Sequence, residues 1–159
     1  MFFFKKIADL LEERLGGILR CDARGFRCCG VRGEYVLTVE DVLSGRRFDD
    51  GICLVRFAID VHRISNDDRT DHAAGRKTLP YHIPYRALLP VGASNLLLAG
   101  RCISGDFYAH ASYRVAGNVL ATGDAAGYAA AICAKEGILP HGVDGGRVKA
   151  YMEALGYEL

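Results

Sequence analysis

Hydrophobic residues recur with helical spacing near the start of the chain. In residues 5–15, KKIADLLEERL, the apolar side chains share one stripe and charged side chains lie opposite. The stripe consists of Ile7, Leu10, Leu11 and Leu15. Apolar residues three and four positions apart are typical of an amphipathic helix, and the following Gly16 and Gly17 favour its end. The pattern therefore predicts a short amphipathic helix.

Three further segments have the apolar composition of strands. Residues 34–39, EYVLTV, predict one strand. Residues 52–62, ICLVRFAIDVH, predict a second because they are rich in β-branched and aromatic side chains. Residues 95–100, NLLLAG, form a continuous apolar run of the kind that is buried on both faces of a parallel sheet.

Two more helices are predicted from local signals. Thr38 and Asp41 have the spacing of a capping box, which opens a short helix closed by Gly45. Residues 114–137 predict a helix built largely from small side chains. Its internal glycines are Gly117, Gly123 and Gly127, each of which costs about 1 kcal/mol relative to alanine. Small residues let a backbone or a flat ligand come close, although such a helix also packs tightly on a sheet.

A period of two from residue 56 onward predicts a strand with two different faces. Phe57, Ile59 and Val61 form the expected core face. The opposite face carries Arg56, Ala58, Asp60 and His62. This second face is either a row of functional titratable groups or a solvated surface with an Asp–His contact.

The polar and proline-rich middle of the chain predicts that the chain passes there from one sub-region to another. Residues 65–78 are turn-rich, and Pro80, Pro84 and Pro90 favour extended segments because proline disfavours helices and central strands. We therefore place a boundary between two sub-regions near residue 80.

Composition and charge narrow the classes of partner. The chain has 159 residues and a net charge of +1, so no long-range attraction to nucleic acid or to an acidic membrane is implied. The start, MFFFKK, contains too few apolar residues for a signal peptide or a membrane-spanning helix, which predicts a cytoplasmic protein. The six cysteines and five histidines lack zinc-ligand spacing, so we expect reduced thiols and no metal. The expected partner is a small molecule or another protein.

Glycines and arginines gather after the third predicted strand. Neither a G-x-G-x-x-G turn nor a P-loop is present, because GRCISG is followed by Asp106 and Phe107. What remains is Gly100 with Arg101 at the strand end, then the loop residues His110, Ser112 and Arg114, then ATGDAAG within the small-residue segment. Glycines for close approach, arginines for charge and helix amides for hydrogen bonds favour a flat polar or anionic ligand.

At these residues the sequence resembles a known family. Residues 95–131, NLLLAGRCISGDFYAHASYRVAGNVLATGDAAGYAAA, are similar to the carboxyl-terminal part of FAD-dependent oxidoreductases, two-domain flavoproteins of the glutathione-reductase-like type. The likeness extends upstream through YHIPYRALLP and GEYVLTVEDVLSGRRFDDGI, over about residues 30–137. Several motifs in the same order are more specific than any one of them.

The resemblance implies a mixed α/β fold in two parts. Residues 81–159 would be the carboxyl-terminal portion of a Rossmann-like FAD-binding domain, its last strand and final helix. Residues 1–80 would be part of a β-rich substrate or cap domain with a divergent leader. The amino-terminal half of the family, which carries the glycine-rich turn for the ADP part of FAD, has no counterpart in this sequence. We therefore expect a carboxyl-terminal piece of a flavoenzyme.

The resemblance also implies roles for individual residues. In relatives the final helix points its amino end at the pyrimidine side of the flavin, where N–H groups stabilise negative charge that develops when N5 accepts a hydride. The implied cofactor-binding residues are Gly100, Arg101, Ser112, Thr122, Gly123, Ala125 and Ala126. The implied catalytic residues are His62, His110 and Arg114, although each histidine could equally satisfy structural hydrogen bonds.

Three functions remain open at this stage. The first is an FAD-dependent oxidoreductase that transfers a hydride or electron pair between a small substrate and flavin. The second is a non-catalytic remnant or assembly subunit that binds FAD only with a separate chain supplying the absent half, or as a homo-oligomer. The third is a binding module for another nucleotide. None of the three involves nucleic acid or a membrane.

Overall fold

The structure is a computed structural model, and it describes residues 19–20, 30–61 and 78–159. The strands are β1 (Leu19–Arg20), β2 (Gly30–Val31), β3 (Gly51–Val55) and β4 (Tyr81–Pro84). The α-helices are α1 (Val39–Ser44), α2 (Phe107–Tyr113), α3 (Ala116–Glu136) and α4 (Gly145–Ala154), with 3-10 turns at Tyr85–Leu88, Gly100–Cys102 and Pro140–Gly142. The helix predicted at residues 5–15 lies outside the described residues.

The strands form two small antiparallel sheets, β1 with β2 and β3 with β4. The β3–β4 register places Leu54 opposite His82 and Val55 opposite Tyr81. Helices combined with these sheets are consistent with the expected mixed α/β class. β3 precedes residue 80 and β4 follows it, so this sheet contains residues from both sides of the predicted domain boundary. The boundary itself stays a prediction.

The core lies between the β3–β4 sheet and the pair of helices α3 and α4, which pack on β3 and on each other. Its fully buried members include Ile52, Val55, Tyr81, Ile83, Tyr85, Ala125, Ala129, Val148 and Met152. The buried hydroxyl of Tyr85 donates to the carbonyl oxygen of Pro140 at 3.0 Å, which removes the cost of an unpaired polar group. Tyr128 of α3 stacks on Tyr151 of α4 with ring centroids 3.7 Å apart. The two helices are therefore joined by aromatic as well as aliphatic contact.

The predicted helix at α1 is confirmed in detail. Thr38 is the N-cap, its Oγ1 accepts from the Asp41 amide at 3.4 Å, and the Asp41 carboxylate accepts from the Thr38 amide at 3.0 Å. Gly45 ends the helix with φ +66°, the left-handed conformation that glycine adopts at little cost.

A single carboxylate joins the starts of α1 and α2. Asp106 is the N-cap of α2, where its Oδ1 accepts from the Ala109 amide at 2.8 Å. Its Oδ2 accepts from the amide of Val39, the first residue of α1, at 2.7 Å. The backbone N–H of Asp106 also donates to the Leu37 carbonyl at 2.8 Å. The chain before α1 is thereby fixed to the chain before α2.

Two of the predicted strands are wrong, and a third is shorter than predicted. Residues 34–39 contribute one isolated bridge, between Leu37 and Gly105, because their amides donate to separate segments such as the Leu89 and Ser104 carbonyls. Residues 95–100 are not a strand, since no described strand lies beside them and Leu96 is exposed. β3 ends at Val55, so Phe57 is 43% exposed, while Ile59 is buried as predicted.

His82 on β4 is buried in its neutral form. Its Nδ1 lies 3.3 Å from the Phe48 carbonyl oxygen and its Nε2 lies 2.8 Å from Arg47 Nη1, so the arginine donates to a ring nitrogen that carries no proton. Burial lowers the pKa of His82, the charge of Arg47 lowers it further, and the hydrogen bond to Phe48 opposes both. Protonation would place two cations side by side.

This arrangement predicts that stability declines as the solution becomes acidic. The folded-state pKa of His82 is depressed below its ordinary value of 6.5, so its contribution is complete above that pH and is lost as pH falls through the folded pKa. Urea unfolding at about pH 8 and about pH 5 should give a lower free energy of unfolding in acid. The loss should be smaller in His82→Gln, and an equal loss in both proteins would contradict the assignment.

Candidate functional site

The turn at Gly100 is tied directly to the middle of α3. Gly100 has φ +67°, and its amide donates to Thr122 Oγ1 at 2.9 Å. The same hydroxyl donates to the Val119 carbonyl oxygen at 2.9 Å. A Cβ at residue 100 would lie 3.2 Å from Val119 Cγ1, so the close approach as well as the positive φ favours glycine. The structure therefore brings Gly100 and Thr122, two of the predicted cofactor-binding residues, together.

Two arginines lie side by side between this turn and the start of α3. Arg101 Nε donates to the Arg114 carbonyl oxygen at 3.2 Å. Arg114 Nη2 donates to the backbone oxygen of Asp60 at 3.0 Å and lies 3.8 Å from the Asp60 carboxylate. Both guanidinium groups retain N–H donors beyond these bonds, because each arginine carries five. Positive charge is thus concentrated before α3.

His110 is buried on α2 beside the two arginines. Burial lowers the pKa of His110, and the charges of Arg114 and Arg101 act in the same direction, while a hydrogen bond with the Arg101 backbone opposes them. The ring also packs edge-on against Tyr113, with centroids 5.3 Å apart. At neutral pH His110 is therefore a neutral imidazole, which can exchange a proton but brings no charge of its own.

Among the residues that the structure describes, none caps the amino end of α3 with its side chain. Its N-cap is Val115, which cannot accept a hydrogen bond through its side chain, and Ala116 and Gly117 of the first turn are exposed. The first amides of a helix have no intrahelical partner and carry partial positive charge. Together with Arg114, this end of the helix forms an electropositive set of N–H donors suited to an anion or a carbonyl oxygen.

Ser112 and Ala125 lie inside the protein rather than at this surface. Ser112 is fully buried, accepts from the Tyr81 hydroxyl at 2.9 Å and donates to the Phe57 carbonyl oxygen at 2.6 Å. Ala125 is fully buried in the core. Both residues support the elements that carry the surface groups.

Gly123 and Ala126 lie on α3 beyond its first turn. A Cβ at Gly123 would meet nothing within 4 Å, and Ala126 is half-buried. Amides in a helix interior are bonded to the carbonyl four residues earlier, so the free amides of α3 belong to its first turn instead. His62, the third predicted catalytic residue, lies outside the described residues.

Sequence reasoning named Arg114 and the amino end of the helix but missed the first-turn residues Ala116 and Gly117 and the cleft beside them. A cleft of about 190 Å³ is lined by Cys53, Arg56, Gly117, Asn118 and Tyr157 among others. Asn118 Oδ1 accepts from the Cys53 thiol at 3.7 Å, and its Nδ2 is buried without a described hydrogen-bond partner. Burial raises the pKa of Cys53 to about 12, so this thiol is not a nucleophile at neutral pH. One sequence signal could have located these groups. Val115 cannot cap a helix through its side chain, and small residues follow it in the first turn of α3.

Neither a metal cluster nor a spanning helix is found in the part of the chain that the structure describes. There, no three His, Cys, Asp or Glu side chains are grouped so that they could hold a metal ion. Across the same residues, no helix combines the length and apolar character needed to cross a bilayer.

Comparison with known protein families finds a match over most of the chain. The model of a family described as FAD dependent oxidoreductase matches residues 30–155. No curated protein and no solved structure matches significantly. The matched range contains the Gly100 turn, both arginines, His110 and the whole of α3.

The hydrogen bond between Gly100 and Thr122 can be tested by removing the hydroxyl. Thr122→Val keeps the side-chain shape but leaves the buried Gly100 amide unpaired, so the free energy of unfolding should fall by about 1–3 kcal/mol. Thr122→Ser keeps the hydroxyl and serves as the matched control with a smaller loss. Urea unfolding measures both, and equal stability of Thr122→Val and the parent chain would contradict the assignment.

Proposed function

Because the chain belongs to the FAD dependent oxidoreductase family, with FAD as its cofactor, we propose that it is the flavin-ring side of such an enzyme. Residues 81–159 are then the carboxyl-terminal portion of a Rossmann-like FAD-binding domain of the glutathione-reductase-like type. Residues 1–80 are part of a substrate domain. The reaction is hydride or electron-pair transfer between a small substrate and the flavin.

The observation that carries this proposal is the uncapped, electropositive amino end of α3. Its free amides and the neighbouring Arg114 match the needs of a flat ring whose edge bears carbonyl oxygens and gains negative charge on reduction. When bound, FAD supplies two-electron acceptance at the ring. The first turn of α3 would stabilise that negative charge, and Arg114, whose Nη2 lies 3.8 Å from the Asp60 carboxylate, would contribute a guanidinium group beside it.

The remaining residues divide into those that reach the surface and those that position them. Arg101 is exposed and is proposed to contact the ribityl chain or a phosphate. Thr122, Ser112 and Ala125 are positioning residues, since Thr122 fixes the Gly100 turn and Ser112 joins α2 to Phe57 and Tyr81. Gly123 and Ala126 lie on the side of α3 that is proposed to face the flavin ring, and they do not touch the reacting edge of that ring.

Proton handling is assigned to the histidines. His110 is neutral and adjacent to Arg114, so it is placed to take or give the proton that accompanies hydride transfer from an alcohol-like or amine-like group. His62 remains a second candidate on the substrate side. Arg114 orients an anionic or carbonyl group of the substrate through its remaining N–H donors.

The ADP end of the cofactor needs residues that this sequence lacks. No G-x-G-x-x-G turn is present anywhere in the chain, so the pyrophosphate has no glycine-rich cradle here. We propose that a separate chain supplies that half, or that copies of the chain associate. The electron transfer then takes place only in the assembly, within which this chain contributes the ring-side groups.

Titration of the isolated chain with flavins and adenine nucleotides tests the proposal. FAD should bind weakly, because most of its contacts are missing, and submicromolar binding by flavin fluorescence would contradict this. At millimolar concentration, FMN should raise the melting temperature more than AMP does. A larger shift with AMP would favour a module for another nucleotide instead.

Removing one positive charge near the amino end of α3 distinguishes FMN binding at the proposed ring site from nonspecific binding. Arg114→Gln should weaken FMN binding about tenfold, as expected for loss of one charged hydrogen bond. Arg147→Gln is the matched control, since Arg147 is paired with Glu136 near the opposite end of α3. Equal weakening in both variants would argue against a site at the amino end of α3.

A further inference from the structure

The side-chain amide of Asn118, in the first turn of α3, is hydrogen bonded at one end and unpaired at the other. Within the residues that the structure describes, Asn118 Nδ2 is the one buried side-chain nitrogen or oxygen that lacks a hydrogen-bond partner. Leaving a buried donor unpaired is costly, so folded proteins rarely keep one without a use for it. This nitrogen therefore needs a partner that the described residues do not supply.

The Cys53 thiol determines which atom of the amide is unpaired. Its Sγ lies 3.7 Å from Asn118 Oδ1. Burial raises the pKa of Cys53 to about 12, so the thiol keeps its proton at neutral pH and acts as the donor. A donor pairs with the amide oxygen, which leaves the amide nitrogen free. The missing partner of Asn118 must therefore be a hydrogen-bond acceptor.

The cleft that Asn118 lines has the size of a small-molecule pocket. Its volume is about 190 Å³. A cavity of about 150 Å³ accommodates benzene, so this cleft has room for a molecule of about seven non-hydrogen atoms. Leu54, Ala121 and the ring of Tyr157 line it with apolar surface. Gly117 lines it as well, so the cleft borders the first-turn amides of α3 that are proposed to hold the flavin ring.

The charges of the lining favour an uncharged ligand. Arg56 and Glu158 form an ion pair with each other, and their side chains are 62% and 77% exposed. The group that contacts the Asn118 amide is the neutral thiol of Cys53. A carboxylate beside Asn118 Nδ2 would be buried without a counter-charge, and a protonated amine has no lone pair to accept a hydrogen bond. An uncharged carbonyl or hydroxyl oxygen meets both conditions.

We propose that this cleft is the substrate pocket beside the ring site, and that the substrate is a small uncharged molecule whose carbonyl or hydroxyl oxygen accepts a hydrogen bond from Asn118 Nδ2. The role of this ligand as a substrate rests on the proposed function, because the cleft meets the proposed ring position at Gly117. The hydrogen-bonding chemistry of the cleft does not depend on flavin.

The wall of the cleft that Tyr157 and Glu158 form allows a ligand to enter. The Tyr157 hydroxyl donates to Asp124 Oδ2 at 2.6 Å, and Glu158 is held by its exposed ion pair with Arg56. Exposed ion pairs contribute little to stability, so these two residues can move aside at small cost. Their movement gives the ligand access to the buried nitrogen of Asn118.

The amide composition of the chain allows a direct test by nuclear magnetic resonance. The sequence contains three asparagines, Asn66, Asn95 and Asn118, and no glutamine, so few side-chain amide signals overlap. Cyclohexanone, which has the required size and a carbonyl oxygen, is the probe. In the ¹⁵N-labelled full chain, millimolar cyclohexanone should shift the Asn118 side-chain amide downfield and to saturation. The signal of Asn95, which is exposed and does not line the cleft, should stay in place.

Charged probes and one substitution test the chemistry of recognition. Cyclohexylamine, which is protonated at neutral pH, and cyclohexanecarboxylate should each bind at least about tenfold more weakly than cyclohexanone. Asn118→Leu keeps the size of the side chain and should weaken cyclohexanone binding about fivefold, followed through the backbone amides of Ala121 and Tyr157. Asn95→Leu is the matched control and should bind as the parent chain does. Circular dichroism checks that both variants are folded.

Three results would overturn the pocket: an Asn118 amide that does not move with cyclohexanone, tighter binding of either charged probe, or equal affinity of Asn118→Leu and the parent chain. FMN titration of the same sample tests the ring site separately. If FMN fails to bind while cyclohexanone moves the Asn118 amide, the ring site fails and the ligand is not a substrate. If FMN binds and the Asn118 amide does not respond to cyclohexanone, the pocket alone fails.

Discussion

Close packing by the small side chains of α3 is the constraint on which the rest of the structure depends. Ala121, Ala125 and Ala129 are buried and bring the helix backbone close to β3 and α4. Because the helix is held this near, Thr122 can reach the Gly100 amide. The position of the Gly100 turn in turn sets where Arg101 and Arg114 meet at the exposed amino end of the helix. Larger residues on the buried side would separate all of these groups.

Local signals predicted local structure well. The capping box of Thr38 and Asp41 was predicted correctly because all the atoms involved belong to four consecutive residues. The strand at residues 95–100 failed because a strand needs a neighbour, and an apolar run carries no information about whether one is present. Residues 34–39 failed for the same reason, since their amides find partners singly in distant segments.

The candidate site was predictable at the level of family and much less so at the level of atoms. Several motifs in a fixed order indicated the family and its cofactor, and the family match supports both. The roles of Ser112 and Thr122 depend on Tyr81, Phe57 and Gly100, which are distant in sequence, so no spacing rule could show that both hydroxyls are occupied internally. The helix start at Ala116 likewise decides which amides are free, and a boundary of this kind is hard to place from propensity alone.

The double use of Asp106 has a consequence for the dynamics of the chain around the site. Since one carboxylate caps α2 and also holds the first amide of α1, fraying of either helix start weakens the other. The two short helices therefore open together as one cooperative unit, and their protected amides should exchange with solvent at a common rate. His110 lies on α2. Opening of α1, which is more than sixty residues earlier in the chain, therefore also affects the position of the His110 ring.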